Sequence, residues 1–146
     1  MRIITGILLL VFLTSVSDGM GQEPVEEGDL TVIVKGFENE DGLAMIAVSN
    51  TEDDYDAKDE PFRGNAIKIS EKTAIWTIDK IPFGEYAIKV FHDEYEDGEL
   101  DTNFLGMPTE DYGFSNDARG SFGPASWEDA KFLFNSEKDT VIISIE

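Results

Sequence analysis

An acidic run is the part of this sequence whose residue types and spacing point most clearly to chemistry. Between Asp93 and Asp101 the chain carries six carboxylates in nine residues and no positive charge, directly after a mostly apolar stretch. Calcium takes about six to eight oxygen ligands, and a calcium loop places them at fixed positions around a glycine at position six. Numbered from Asp93, Gly98 falls at position six, and oxygen donors fall at positions one, five, seven and nine. The run therefore predicts a Ca²⁺ site with four ligands, namely Asp93, Asp97, Glu99 through its carbonyl, and Asp101, to which Glu96 or Asn103 would add oxygens.

Two positions of the run do not fit the calcium pattern. Tyr95 stands at position three and Phe104 at position twelve, where the pattern has oxygen ligands. The alternative is a solvated acidic loop in which Asp97-Gly98 simply makes a turn. Zinc and softer metals are disfavoured because the chain has one histidine and no cysteine.

The single histidine, His92, offers a second kind of chemistry. A secreted hydrolase acting on sugar or peptide would use His92 with neighbouring carboxylates, or with Ser115 or Ser121 as a nucleophile. No G-x-S-x-G elbow supports a nucleophilic serine. Strand alternation puts His92 in phase with Tyr86 and Ile88, so we expect its side chain to lie at the edge of the core. The protein is therefore predicted not to be an enzyme, with the hydrolase as the alternative.

The segments before and after the acidic run have the pattern of short β-strands. Apolar and polar residues alternate in several short segments, and no long helical pattern occurs. Glu71-Lys72 predicts a hairpin between the strands Ala66–Ser70 and Thr73–Ile78. About seven such strands over residues 30–146 predict an all-β fold, an antiparallel β-sandwich of transthyretin-like or immunoglobulin-like topology.

One long loop, residues 93–128, interrupts the strands. Loops of this length are uncommon in compact domains and are usually functional or disordered. Disordered segments are poor in aromatic residues, whereas this loop contains several, so we expect it to be ordered and packed on the sandwich. Its aromatic side chains are predicted to pin it to the core, and the alternative is an exposed ligand or peptide surface. The residues concerned are Tyr112, Phe114, Phe122 and Trp127, and the loop also carries Phe104, Leu105 and Met107.

The N-terminal segment predicts export. Residues 1–21 combine Arg2 with an uncharged apolar stretch of signal-peptide length, and residues 22–29 read as a polar linker. The mature protein would then be secreted or periplasmic, with no membrane insertion after the signal peptide is cleaved.

Composition limits the classes of partner. With 11 basic and 31 acidic residues the chain has a formal charge of -20 at pH 7, which disfavours nucleic acids and anionic membrane surfaces. The absence of cysteine removes disulfides and thiol chemistry. The predicted function is an exported non-catalytic binding or structural module, whose partner is an unidentified protein or small ligand.

Two stretches resemble known families. The segment IPFGEYAIKV is similar to the turn and strand of transthyretin-like, carboxypeptidase-regulatory-like and collagen-binding-B-type sandwiches, with Pro82 and Gly84 in the turn and Tyr86 near the start of the strand. This resemblance implies a sandwich fold and no particular activity.

The second stretch runs from VFHDEYEDGELDTN through GMPTEDYGFSNDARGSFGPASWEDAKF. It resembles the pattern F-H-D-x-N-x-[ND]-G-x-[LM]-D-[TS]-N-x-x-G-x-P-x-E of a family of exported bacterial proteins, domain of unknown function 2141. The resemblance extends over about residues 30–146 and implies export, a sandwich and no established activity. The chain departs from the pattern at Tyr95, where the family has Asn, and this departure removes an oxygen from the predicted calcium loop.

Overall fold

The computed structural model describes residues 26–57 and 61–146, which form two β-sheets packed face to face. The strands are β1 (Glu27–Lys35), β2 (Leu43–Ser49), β3 (Arg63–Lys68), β4 (Thr73–Pro82), β5 (Gly84–Asp93), β6 (Tyr112–Phe114), β7 (Phe132–Phe134) and β8 (Lys138–Ser144). The helical pieces are α1 (Glu52–Asp56), a 3-10 turn (Ser115–Asp117) and α2 (Trp127–Ala130).

The strands divide into a three-stranded sheet and a five-stranded sheet. The order is β4-β1-β8 in the first and β3-β2-β5-β6 in the second, where β7 also pairs with β5. Neighbouring strands are antiparallel, apart from the parallel pair β1–β8. The predicted all-β sandwich is confirmed.

Strand alternation builds the core between the sheets. In β1, Leu30, Val32 and Val34 are buried, while Thr31 and Ile33 on the other face are half-exposed. Successive side chains of a strand point to opposite faces, so each apolar row faces the opposite sheet. The core contains side chains from both sheets, including Leu30, Val32, Val34, Ile46, Val48, Ile78, Tyr86, Ile88, Val90 and Ile143.

The predicted hairpin around Glu71-Lys72 is wrong in its pairing. Both residues have positive φ values, 52° and 57°, as the central residues of a type I′ turn require. However, β3 pairs with β2 and β4 pairs with β1, so only a single bridge joins Ser70 and Thr73. The turn therefore carries the chain from one sheet to the other, and turn chemistry alone does not determine which sheet the next strand joins.

β1 begins inside the segment that was predicted to be a linker. Glu27 pairs with Pro82, and the Asp29 amide donates to the Glu137 carbonyl over 2.8 Å. Backbone pairing therefore recruits residues 27–29 in spite of their polar composition. The predicted signal peptide, residues 1–21, and the start of the linker lie outside the described residues.

A second, smaller core lies on the outer face of the five-stranded sheet. Residues 112–130, α1 and β5 contribute to this core. It contains Tyr55, Ala87, Phe114, Ala118, Ala125, Trp127 and Ala130. None of the helices in the described ranges has the length and apolar character needed to cross a membrane.

Candidate binding loop

The acidic run lies in the loop between β5 and β6, and we call residues 93–111 the acidic loop. It begins at the buried end of β5, where His92 and Asp93 are each 1% exposed. The turn before β2, at Gly42, packs against the backbone of Asp93. A Cβ atom on Gly42, which has a φ of +64°, would come within 1.9 Å of the Asp93 carbonyl oxygen. Only glycine allows the two segments to approach this closely.

The Asp93 carboxylate holds the first part of the acidic loop from inside. Its Oδ1 accepts a hydrogen bond from the Asp97 amide at 3.2 Å, and its Oδ2 accepts one from the Gly98 amide at 2.9 Å. Gly98 has a φ of +80°, a conformation that glycine adopts without steric cost. Hydrogen bonds with an ionised acceptor are stronger than neutral ones, so this carboxylate fixes the turn at residues 94–98.

Glu110 joins the two ends of the acidic loop. Its side chain is buried, and its two carboxylate oxygens accept hydrogen bonds from the Glu94 and Asp101 amides, each at 3.0 Å. The residue thus connects the start, the middle and the end of the loop. The calcium pattern assigns no role to Glu110, and in the sequence only its match to the final Glu of the family pattern indicates it.

The tip of the acidic loop is a small hairpin. Thr102 and Pro108 form a bridge, and the Thr109 amide donates to the Asp101 carbonyl over 2.8 Å. At the turn, the Asn103 side-chain oxygen accepts hydrogen bonds from the Leu105 and Met107 amides. The tip is therefore held by its own backbone and by one Asn side chain.

Large apolar side chains of the acidic loop point into solvent. Phe104 is 94% exposed, Tyr95 73%, Leu105 69% and Met107 60%. The expectation that this whole loop packs on the sandwich is therefore wrong for the acidic loop. Its hydrogen bonds hold the backbone without using these side chains.

The predicted calcium ligands have separate places in this arrangement. Asp93 is buried against backbone amides, Asp97 Oδ1 accepts from the Glu99 amide at 2.9 Å, Glu99 is exposed and Asp101 is half-exposed. Within the described residues, no group of three or more His, Cys, Asp or Glu side chains is arranged to hold a metal ion. The loop thus brings Asp93 and Asp97 together at one turn, but it does not gather the four predicted ligands around one point.

His92 lies at the edge of the core, as its strand phase predicted. Its Nε2 is 2.7 Å from the Asp41 carbonyl oxygen, and since a carbonyl only accepts, Nε2 donates this hydrogen bond. Nδ1 is 3.7 Å from a Glu94 carboxylate oxygen, and the ring packs edge-on against Phe37. The ring is therefore enclosed at the edge of the core, with each nitrogen facing an oxygen of the chain.

The second part of the predicted loop 93–128, together with the end of α2 (residues 112–130), packs on the sheet through its aromatic residues. Phe114 and Trp127 are buried and Tyr112 is half-buried, which confirms the predicted pinning for these three. Phe122 is fully exposed, so its predicted role is wrong. The buried Ser115 hydroxyl donates to the Ala130 carbonyl and accepts from the Ile88 amide, which fixes this segment to β5.

Tyr55 and Lys89 meet beneath the second part of the loop. The Tyr55 hydroxyl donates to the Ala125 carbonyl, and burial raises the pKa of Tyr55 far above its ordinary value. Lys89 places its ammonium 4.1 Å from the centre of the Tyr55 ring and donates to the Tyr55 carbonyl. Burial lowers the pKa of Lys89. The pair thus contributes polar contacts to an otherwise apolar core.

The family comparison agrees with the sequence pattern. The model of a family described as "Uncharacterized protein conserved in bacteria", domain of unknown function 2141 (DUF2141), matches residues 32–142. The chain belongs to the DUF2141 family. The match extends from β1 to β8 and includes the whole acidic loop, so the loop is part of the DUF2141 domain.

Neither the curated proteins nor the solved structures contain a match to this DUF2141 chain.

Proposed function

We propose that this DUF2141 protein is an exported, non-catalytic binding module and that the acidic loop is its binding element. One observation carries the proposal: Phe104, Leu105 and Met107 are exposed on a loop whose backbone is fixed by two buried carboxylates. Contiguous exposed apolar side chains with a polar rim are typical of interaction sites.

The way in which the loop is held supports binding. A loop that is already ordered loses little conformational entropy when it docks, so more of the contact energy appears as affinity. Apolar anchors near the centre of an interface commonly dominate its binding energy. Phe104 and Leu105, at the tip of the hairpin, stand where such anchors would be.

The experiment is photo-crosslinking in a bacterial host that expresses the full-length chain. A photoreactive amino acid is placed at Phe104 and, as the matched control, at Ile142, which is 51% exposed on the three-stranded sheet. We expect a discrete crosslinked species from position 104 that disappears when Leu105 and Met107 are changed to Ser, and none from position 142. Equal crosslinking at both positions would contradict the proposal.

Export has a test of its own. We expect the protein recovered from the periplasm or the medium to lack the segment 1–21, because that segment has the composition of a signal peptide. N-terminal sequencing of the recovered protein measures this directly. Uncleaved protein confined to the cytoplasm would refute export.

Calcium stabilisation of the acidic loop stays a separate prediction. Its support is the sequence spacing of Asp93, Asp97, the Glu99 carbonyl and Asp101 around Gly98, since oxygen ligands suit this ion. Binding would require Asp97 and Asp101 to turn toward Asp93. Calorimetric titration of chelator-treated protein should then release heat and raise the melting temperature by mass action, and neither effect should occur in the variant D97N/D101N. Absence of heat at millimolar calcium in the unmodified protein would refute it.

A further inference from the structure

We infer that the partner of the acidic loop is a cationic amphipathic polypeptide, that is, one that presents Lys or Arg side chains next to apolar ones. The inference rests on the proposed binding role of the loop and specifies the chemistry of what it binds. Two independent properties of the loop carry it, namely its charge and the exposure of its apolar side chains.

The charge of the acidic loop has one sign. Residues 93–111 contain eight Asp and Glu and no Lys or Arg, in a chain with a formal charge of -20. In the described residues, the salt bridges of Lys and Arg involve Glu85, Glu128 and Glu146, none of which is in this loop. The exposed carboxylates of Glu96, Asp97 and Glu99 therefore repel anionic partners and attract cationic ones.

The buried carboxylates of the loop are already engaged. Asp93 and Glu110 use both of their oxygens to accept backbone amides. The charges left for a partner are consequently those of the exposed carboxylates of the same loop, such as Glu96 and Glu99. Interfaces commonly combine an apolar centre with a polar rim, and the loop supplies both kinds of side chain.

The exposed apolar side chains of the acidic loop favour a polypeptide partner over a simple cation. A metal ion or a polyamine would neutralise Glu96 and Glu99 but would leave Phe104, Leu105 and Met107 in water. Lys and Arg carry apolar stems below their charged ends, and neighbouring Leu or aromatic residues of the same chain can cover the loop tip. A cationic amphipathic polypeptide satisfies both properties at once.

The test uses three synthetic peptides of equal length as probes: one of Lys and Leu, one of Lys and Ser, and one of Glu and Leu. Their binding to the full-length protein is measured by fluorescence anisotropy at low and high salt. We expect the Lys/Leu peptide to bind about tenfold or more tightly than either other peptide. Its affinity should fall as salt screens the charges.

Two variants of the loop are compared with two matched variants elsewhere. The triple variant F104S/L105S/M107S removes the anchors, and I142S is its control on the three-stranded sheet. The variant E96Q/E99Q removes two exposed loop charges, and E26Q/E137Q removes two exposed charges outside the loop. We expect the triple variant to weaken Lys/Leu binding about tenfold and E96Q/E99Q several-fold, with both controls within about twofold of the unmodified protein.

The outcomes separate the two claims. Equally tight binding of the Glu/Leu peptide, lost in the triple variant, would overturn the cationic partner and leave the loop as a binding site. Equal binding of the Lys/Ser and Lys/Leu peptides would overturn the amphipathic requirement. Lys/Leu binding that is the same in the triple variant and in I142S would overturn the binding role of the loop itself. Urea unfolding of each variant establishes that its fold is intact.

Discussion

The two parts of the long loop are anchored by opposite means. Residues 93–111 are held by carboxylates that accept backbone amides, and their large apolar side chains are exposed. Residues 112–130 are held by Phe114 and Trp127, which are buried against the sheet. A side chain that anchors a loop in the core is no longer available to a partner. In residues 93–111 carboxylates hold the backbone, so the apolar side chains there stay exposed. For this reason we place the proposed binding site on the acidic loop and not on residues 112–130.

The largest expected effect comes from removing an apolar anchor of the second part. Trp127→Ala should lower the free energy of unfolding by about 3–5 kcal/mol, because it leaves a cavity in the smaller core next to Tyr55. Urea unfolding followed by fluorescence or circular dichroism measures this. Phe122→Ala, at a fully exposed aromatic of the same segment, serves as the control and should change stability by no more than about 0.5 kcal/mol. Equal losses in the two variants would contradict the account of how the second part is held.

A smaller effect is expected from removing the polar anchor of the first part. Glu110→Ala leaves the Glu94 and Asp101 amides without their acceptor and should cost about 2–3 kcal/mol. Amide hydrogen exchange should accelerate at Glu94 and Asp101 while the amides of β1 remain protected. Glu99→Ala removes an exposed carboxylate of the same loop and should change neither quantity. Unchanged exchange in Glu110→Ala would show that the carboxylate does not anchor the loop.

The smallest effect concerns the buried phenol of the second part. Tyr55→Phe removes the hydrogen bond to the Ala125 carbonyl and should cost about 1–2 kcal/mol near pH 8. Burial raises the pKa of Tyr55 above its ordinary value of 10.0. In the unfolded chain the phenol ionises near pH 10, so the stability that the neutral, buried phenol contributes is complete below that pH and declines above it.

The stability difference between the unmodified protein and Tyr55→Phe should therefore shrink from pH 8 to pH 11. Urea unfolding at the two pH values measures it, and other groups with shifted pKa values, such as Tyr86, are common to both proteins. A difference that grows with pH would contradict the assigned direction of the Tyr55 pKa.

Much of the fold follows from local patterns. The alternation of Leu30, Val32 and Val34 predicts the phase of β1, and the same reasoning places His92 correctly at the edge of the core. The choice of sheet for β4 was not predictable, because it depends on pairing with β1, whose paired residues lie 38 to 55 residues earlier in sequence, and not on the turn at Glu71-Lys72.

The candidate site was predicted only in part. The sequence locates the acidic run, but the partner of the Glu94 amide is a carboxylate sixteen positions later, which spacing within the run does not reveal. Phe104 and Phe114 have the same side chain, and one is exposed while the other is buried. Whether a phenylalanine anchors the loop depends on the surface that its side chain faces. Residue type alone does not predict that surface.

The binding proposal requires the acidic loop to be rigid while its apolar side chains are exposed. The most direct measurement is ¹⁵N relaxation of the backbone amides at residues 95–107 of the full-length protein. We expect order parameters near those of the strands, about 0.8–0.85, because Asp93, Asn103 and Glu110 hold the backbone. Order parameters below about 0.6 across residues 95–107 would contradict it.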